Sequence, residues 1–322
     1  MNGLRIVFMG TPDFAVESLK LLVNSGKNIV GVITVPDKAA GRGKKIQYSA
    51  VKKYALEQEL NILQPANLKD ENFISQLKSL KADLQIVVAF RMLPEKVWNM
   101  PELGTFNIHA SLLPQYRGAA PINWAIINGD QISGVTSFFL THEIDTGNII
   151  NQKTTPISNT DTAGDLHDRL MTLGAELALE TVEAIETGNV TATPQQESLK
   201  DETTLKAAPK IFKEDCRIDW QRSSEDIYNH IRGLSPYPAA FMELEKAEEK
   251  DLYFKLFKVK LSDTHSLDIG EIKTDGKSFL EIGTKDKSLL IEELQLMGKR
   301  RMPVEDFLRG FKLTSEWKVK LS

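Results

Sequence analysis

Apolar residues along this chain fall into two regimes. In the first half they form short, nearly unbroken runs separated by stretches of helical period. Leu4 to Met9, LRIVFM, predicts a strand buried on both faces. It meets Gly10-Thr11-Pro12-Asp13, where Thr11 is expected to cap and Pro12 to open a helix reaching about Val23. NIVGVITV, ending at Val35, predicts a second strand, Leu84 to Phe90 a third and the run TFNIHA a fourth. Helical stretches such as Glu71 to Leu80 lie between them. This alternation predicts an α/β domain with a parallel, twisted, doubly wound sheet, whose ligand crevice lies at the carboxyl ends of the strands.

The pattern changes after about Gly188. Residues Thr191 to Pro209 are polar, marked by prolines and without period, which predicts a linker. Beyond it come a short amphipathic helix near Ser223 to Arg232 and the β-like runs FMELE, LYFKLFKVKL, DIGEIK, SFLEIG and SLLIEELQL. Short, regularly spaced strands predict a small β-barrel. The expected boundaries are a first domain over 1–189, a linker over 190–208 and a second domain over 209–322.

Composition narrows the function classes. At 322 residues, 41% apolar and 26% charged, the chain is expected to be globular and to hold two domains. Its N-terminus lacks a signal-peptide pattern and no apolar run reaches membrane-spanning length, so a cytoplasmic protein without membrane contact is expected. The one cysteine, Cys216, excludes an internal disulfide and argues against a cysteine metal cluster. No metal-ligand spacing occurs, and no metal is expected. Up to residue 208 there are 19 basic and 23 acidic residues, leaving 21 and 21 of the chain's 40 and 44. Any nucleic-acid contact must therefore come from local basic patches. MGTPDF lacks the G-x-G-x-x-G fingerprint, which speaks against a nicotinamide dehydrogenase.

The candidate chemistry lies in GTFNIHASLLPQYRGAAPI. Asn107 and His109 stand two apart in a predicted strand and so share a face at its end. Asp145 follows in HEIDTG. A strand histidine is more often a core residue, and an asparagine more often a turn residue. Together, amide donor, imidazole and carboxylate are the parts needed to move an acyl group onto an amine. His142 and His167 are weaker candidates, the first on the approach to Asp145 and the second in a helix after Asp161.

Asn107-Ile108-His109, Ser111-Leu112-Leu113-Pro114, Arg117-Gly118-Ala119-Ala120-Pro121-Ile122 and Asp145-Thr146-Gly147 together resemble the formyltransferases that use 10-formyltetrahydrofolate. PDKAAGRGKK, residues 36–45, is similar to the loop that the methionyl-tRNA branch of that family places after its second strand, against the tRNA acceptor end. APKIFKEDCRIDW, IRGLSPYPAAF and GKRRMPVEDFLRG are similar to that branch's carboxy-terminal signatures. The resemblance covers nearly the whole chain. It implies a Rossmann-like formyltransferase domain followed by an OB-like barrel.

The resemblance also implies roles. Asn107, His109 and Asp145 would be catalytic: an oxyanion donor, a proton-transfer group and the carboxylate that orients it and favours its charged form. Ser111, Leu112, Leu113, Pro114, Phe90 and Met92 would line the folate pocket. At Phe90 to Pro94 the chain departs from the family, with Arg91 at about the place of a glycine. Lys38, Arg42, Lys44, Lys45, Lys206, Lys210, Lys213, Lys299, Arg300 and Arg301 would contact tRNA. The implied partners are 10-formyltetrahydrofolate and initiator methionyl-tRNA, and a monomer is expected. The competing readings are a formyltransferase for a nucleotide-linked amino sugar and a non-catalytic RNA-binding protein. GRGKK speaks against the first and the intact Asn107, His109 and Asp145 against the second.

Replacing Arg42 tests the basic loop. Arg42→Ala is expected to weaken use of methionyl-tRNA, to spare folate binding and to make the salt dependence of tRNA binding shallower. An unchanged salt slope would return PDKAAGRGKK to a solvated surface loop.

Overall fold

The structure, a computed structural model, describes residues 3–40, 45–198, 204–263, 267–314 and 316–321. The chain forms two compact units. The first comprises Met1–Gly118, Ile132–Thr155 and His167–Ala208, and the second Ala119–Gln131, Pro156–Leu166 and Pro209–Ser322. Among the described residues, no helix is long and apolar enough to cross a membrane.

The first unit is built on a seven-stranded sheet. Its order is Ile149–Pro156, Ile132–Phe139, Thr105–His109, Leu84–Val88, Ile6–Gly10, Ile29–Ile33 and Ile62–Leu63. The last five pair in parallel. Ile6–Gly10 and Leu84–Val88 are buried at every position, as central strands covered on both faces must be. Val7, Met9, Ile33 and Val87 pack with Phe73 and Leu77 of the helix Glu71–Ser79 in one core cluster. That helix begins at Asp70, whose carboxylate accepts from Phe73 N at 3.0 Å. The first helix, Asp13–Asn24, has Pro12 at its N-cap with no side-chain cap, instead of Thr11 capping and Pro12 inside.

Beyond Thr105–His109 the sheet turns mixed, because Ile132–Phe139 runs antiparallel to it. ISGVTSFF is buried from Ser133 to Phe138, yet three of those six positions are Ser or Thr and one is Gly. Its apolar signal is too weak to mark a strand, although the Thr136 and Ser137 hydroxyls are hydrogen-bonded inside.

The stretch expected as a linker contains two ordered pieces, a 3-10 turn at Gln195–Ser198 and the strand Ala207–Ala208. That strand pairs in parallel with Arg117–Gly118. Thr193 bridges to Ile149.

The second unit carries a barrel-like antiparallel sheet in the order Ile272–Thr274, Leu280–Gly283, Ser288–Leu296, Leu252–Ser262, Ala240–Glu245 and Lys318–Val319, with Met302–Pro303 beside Ser288–Leu296. The register of Leu252–Ser262 shifts around Lys258, and such bulges bend a long strand toward closure. The helix Ser224–Leu234 starts at Ser223, whose hydroxyl accepts from Asp226 N at 3.1 Å. Its apolar face, with Ile227, Ile231 and Leu234, joins Trp220, Phe254 and Phe307 in the core. The helix Pro121–Ile127 belongs here too, with Asn123 Nδ2 donating to Gly233 O at 2.8 Å.

His230 is a cost inside this core. Burial, and then the nearby Arg222, push its imidazole down to about 4 from an ordinary 6.5. Among the described residues its Nε2 has no hydrogen-bond partner. Between those two values the unfolded chain binds a proton that the folded chain refuses, so stability falls as pH drops through this window and levels off below it. From pH 7 to pH 5 the loss is about 2 kcal/mol. Urea unfolding followed by tryptophan fluorescence at both pH values should show this loss in the wild type and lack it in His230→Gln.

Candidate active site

Thr105–His109 ends at the carboxyl edge of the parallel strands, beside Leu84–Val88. Alternation puts Phe106 and Ile108 into the core, both essentially buried, and Thr105, Asn107 and His109 on the opposite face. Thr105 Oγ1 donates to Trp98 O at 2.6 Å and lies 3.1 Å from Gln85 Oε1, while Gln85 Nε2 is buried without a partner among the described residues. Asn107 is half-buried. Among the described residues its carboxamide joins none of the hydrogen bonds that tie down its neighbours.

His109 is nearly buried and meets Phe138 edge-on at 6.5 Å between ring centres. Its Nε2 lies 2.9 Å from the carbonyl of Tyr116. A carbonyl only accepts, so this nitrogen carries the proton and Nδ1 is left as the acceptor. Nδ1 faces Asp145 Oδ2 at 3.9 Å, longer than a hydrogen bond. The same Oδ2 accepts from Gly118 N at 3.0 Å. His109 and Asp145 face one another and Asn107 stands two residues earlier on the same strand, but the short contact that orients the imidazole comes from a backbone carbonyl.

Three residues here hold left-handed backbone: Tyr116 at φ 61°, Gly118 at 126° and Asp145 at 55°. The two non-glycines are strained and need support from their surroundings. Gln195, fully buried, supplies some of it. Its Nε2 donates to Asp145 O at 2.9 Å and Gly147 O at 2.8 Å, and its Oε1 accepts from Arg117 Nε at 3.0 Å and Nη2 at 2.6 Å. Sequence reasoning passed over this glutamine. It lies in a polar, proline-marked stretch where only Pro194 hints at fixed backbone.

The segment Ser111 to Pro114 is held by a buried network. Ser111 donates to Gln115 O at 2.7 Å. Thr136 Oγ1 donates to Ser111 O at 2.6 Å and accepts from Leu113 N at 3.1 Å. Gln152 Nε2 donates to Thr136 Oγ1 at 2.8 Å and Leu113 O at 2.9 Å. Leu113 packs with Phe138 and Ile149, while Leu112 remains half-exposed. Of the other candidate folate residues, Phe90 is half-buried and Met92 is 73% exposed. The left-handed position in that segment is Ala89, at φ 46°, rather than Arg91. Arg91 turns away and donates to the carbonyls of Pro65 and Ala66.

Lys38, Lys206, Lys210, Lys213, Lys299, Arg300 and Arg301 are all exposed. Arg42 and Lys44 lie outside the described residues, and of Lys45 only the backbone, in the strand Lys45–Gln47, is described. Lys206 lies 5.7 Å from the Tyr116 ring and Lys210 5.2 Å from the Phe212 ring, while Arg301 is paired with Glu293 and stacked 4.3 Å over Phe257. His142 is 73% exposed, 3.6 Å from Glu95, and His167 pairs with Asp168 at 3.0 Å. Neither reaches His109 through any contact among the described residues. No group of three or more His, Cys, Asp or Glu among those residues could hold a metal ion.

Two family models match the chain, Formyl transferase over residues 4–182 and Formyl transferase, C-terminal domain, over residues 210–312. The methionyl-tRNA formyltransferase of Bacteroides fragilis is 59% identical over 320 residues, covering 99% of this chain and 98% of that protein. That of Parabacteroides distasonis is 58% identical over 320 residues, covering 99% of each. That of Flavobacterium johnsoniae is 52% identical over 320 residues, covering 99% of this chain and all, 100%, of that protein. Among solved structures, the sugar 3N-formyl transferase WlaRD, in the presence of dTDP and 5-N-formyl-THF, superposes with a TM-score of 0.63 at 21% identity, over 92% of this chain and 99% of that one. HypX from Aquifex aeolicus in complex with tetrahydrofolic acid gives a TM-score of 0.60 at 21% identity, over 95% of this chain and 47% of that one. At such identities the structural likeness shows the fold alone.

Gly147 closes the Asp145 turn against the neighbouring strand. A Cβ there would lie 1.6 Å from the carbonyl oxygen of Phe139, a rigid backbone atom. Gly147→Ala must therefore displace the turn, and a loss of more than about 2 kcal/mol is expected. At Gly310 a Cβ would meet nothing within 4 Å. Thermal unfolding should show Gly310→Ala near the wild type and Gly147→Ala well below it.

Proposed function

We propose, since the chain belongs to the formyl transferase family over both of its domains, that it transfers a formyl group from 10-formyltetrahydrofolate to the α-amino group of methionine on initiator methionyl-tRNA. The observation that carries the chemistry is the His109–Asp145 pair at the carboxyl end of the strand that also carries Asn107, two residues back and so on the same face. Full-length likeness to methionyl-tRNA formyltransferases supports methionyl-tRNA over a nucleotide-linked amino sugar as the acceptor.

The surroundings fit a folate. Phe90, Met92 and Leu112 leave apolar surface open at the ends of Leu84–Val88 and Thr105–His109, suited to a flat pterin and aminobenzoyl group. When bound, 10-formyltetrahydrofolate supplies the electrophilic formyl carbon on its N10.

The residues of this chain then have three tasks. Attack by the neutral amine forms a new C–N bond and drives charge onto the formyl oxygen, which Asn107 can meet with an amide hydrogen. The attacking nitrogen must lose a proton, and His109 Nδ1 can take it, because Nε2 is committed to Tyr116. Asp145, facing Nδ1, balances the charge that the ring acquires. The proton returns to the departing nitrogen as the old C–N bond breaks. The basic side chains, Lys38, Arg42, Lys44 and Lys45 in the first domain and Lys206, Lys210, Lys213, Lys299, Arg300 and Arg301 further on, would hold tRNA phosphates. We expect the enzyme to act as a cytoplasmic monomer.

Labelled formyl donor and charged initiator tRNA, followed by recovery of formyl-methionine, test this reading directly. His109→Ala and Asp145→Ala should each lower turnover by about 100-fold or more with folate affinity nearly unchanged. Turnover close to wild type in either variant would remove that residue from the mechanism. Formylation of a nucleotide-linked amino sugar with none of methionyl-tRNA would replace the acceptor.

A further inference from the structure

The steps above leave Gln195 without a part, although it is fully buried against the site. Its carboxamide makes four hydrogen bonds, two given and two taken, the full capacity of the group. They join two pieces of chain that are far apart in sequence. The Oε1 side holds Arg117, next to Gly118, whose amide donates to the Asp145 carboxylate. The Nε2 side holds the carbonyls of Asp145 itself and of Gly147.

Asp145 is thus fixed at two points, its side chain by Gly118 N and its main chain by Gln195. The residue has reason to need both. At φ 55° it occupies backbone that an aspartate leaves readily, by a rotation that would swing the carboxylate away from His109. Gly147 cannot take up the movement, because Phe139 O lies against it.

We propose that Gln195 is a positioning residue for formyl transfer, clamping the Asp145–Gly147 turn so that the carboxylate faces His109 Nδ1. The proposal rests on the role given above to Asp145. It acts on the proton-transfer step and on no binding contact, so it predicts a loss in kcat with KM for both substrates nearly unchanged.

Three variants separate this clamp from a plain structural tie. Gln195→Met fills the volume without hydrogen bonds. Gln195→Glu keeps acceptors for Arg117 but cannot donate to the two carbonyls and sets negative charge against them. Both should lower kcat by roughly 10- to 100-fold with KM within about twofold. Gln195→Met combined with Asp145→Ala should be no slower than Asp145→Ala alone, since a clamp has no work once its carboxylate is gone. Binding of the unreactive 5-formyl folate and the thermal unfolding midpoint identify folded variants. Full activity in Gln195→Glu would assign the residue to Arg117 and overturn the proposal. Wild-type kcat in Gln195→Met, or losses that multiply in the double variant, would overturn it as well. A fully active Asp145→Ala, read from that single variant, would instead remove the reading on which the clamp depends.

Discussion

A left-handed turn governs this site: Tyr116 gives its carbonyl to His109 and Gly118 its amide to Asp145. Tyr116 O and Gly118 N, two residues apart, thus meet one imidazole–carboxylate pair. The turn does so by holding φ of 61° and 126° at its ends. Much of the first unit answers to that geometry. Antiparallel Ile132–Phe139 sets Thr136 opposite His109, where it can pin Ser111 and Leu113 ahead of the turn. On the far side, Tyr116 N reaches Lys206 O at 2.7 Å and Ala207–Ala208 pairs with Arg117–Gly118. Buried peptide groups left without such partners would each cost on the order of a few kcal/mol.

The parts readable in the sequence are those that act through side-chain pattern. Ile6–Gly10 and Leu84–Val88 announce themselves because burial on both faces demands unbroken apolar runs. Asn107 and His109 follow from period two, and Asp145 from its Asp-Thr-Gly string. Tyr116 and Gly118 are different, since their contribution is backbone, which residue identity displays poorly. Ile132–Phe139 hides for a related reason: Thr136 and Ser137 are inside because hydroxyls are needed there, so the strand does not look apolar. Gln195 is hardest of all. Its burial is set by Arg117, 78 residues away, and by Asp145, 50 residues away, and nothing local distinguishes it from a solvated glutamine.

The units themselves interleave along the chain. Segments 119–131 and 156–166 belong to the second unit, although they lie inside the sequence of the first. The first of these is drawn there by Pro121–Ile127, where Gly233 allows a close approach: a Cβ would lie 2.5 Å from Ile127. The second is held by Arg232, which donates to Ser158 O at 3.4 Å and Asp161 O at 2.9 Å while keeping its guanidinium largely buried. Propensity and turn signals mark the single polar stretch near residue 200 as the boundary, but packing does not divide the chain at one point.

The long reach of Gln195 also has a meaning in time. A chain made from its N-terminus at about 5–20 residues per second exposes the Asp145 turn for seconds before Gln195 exists. Helices and hairpins settle in about microseconds, so the parallel strands and their helices can be in place throughout that wait. During that interval the strands can form while the Asp145 turn still lacks its two hydrogen bonds from Gln195. Those bonds, and the pairing of Ala207–Ala208 with Arg117–Gly118, come late in synthesis, after the strands that they brace.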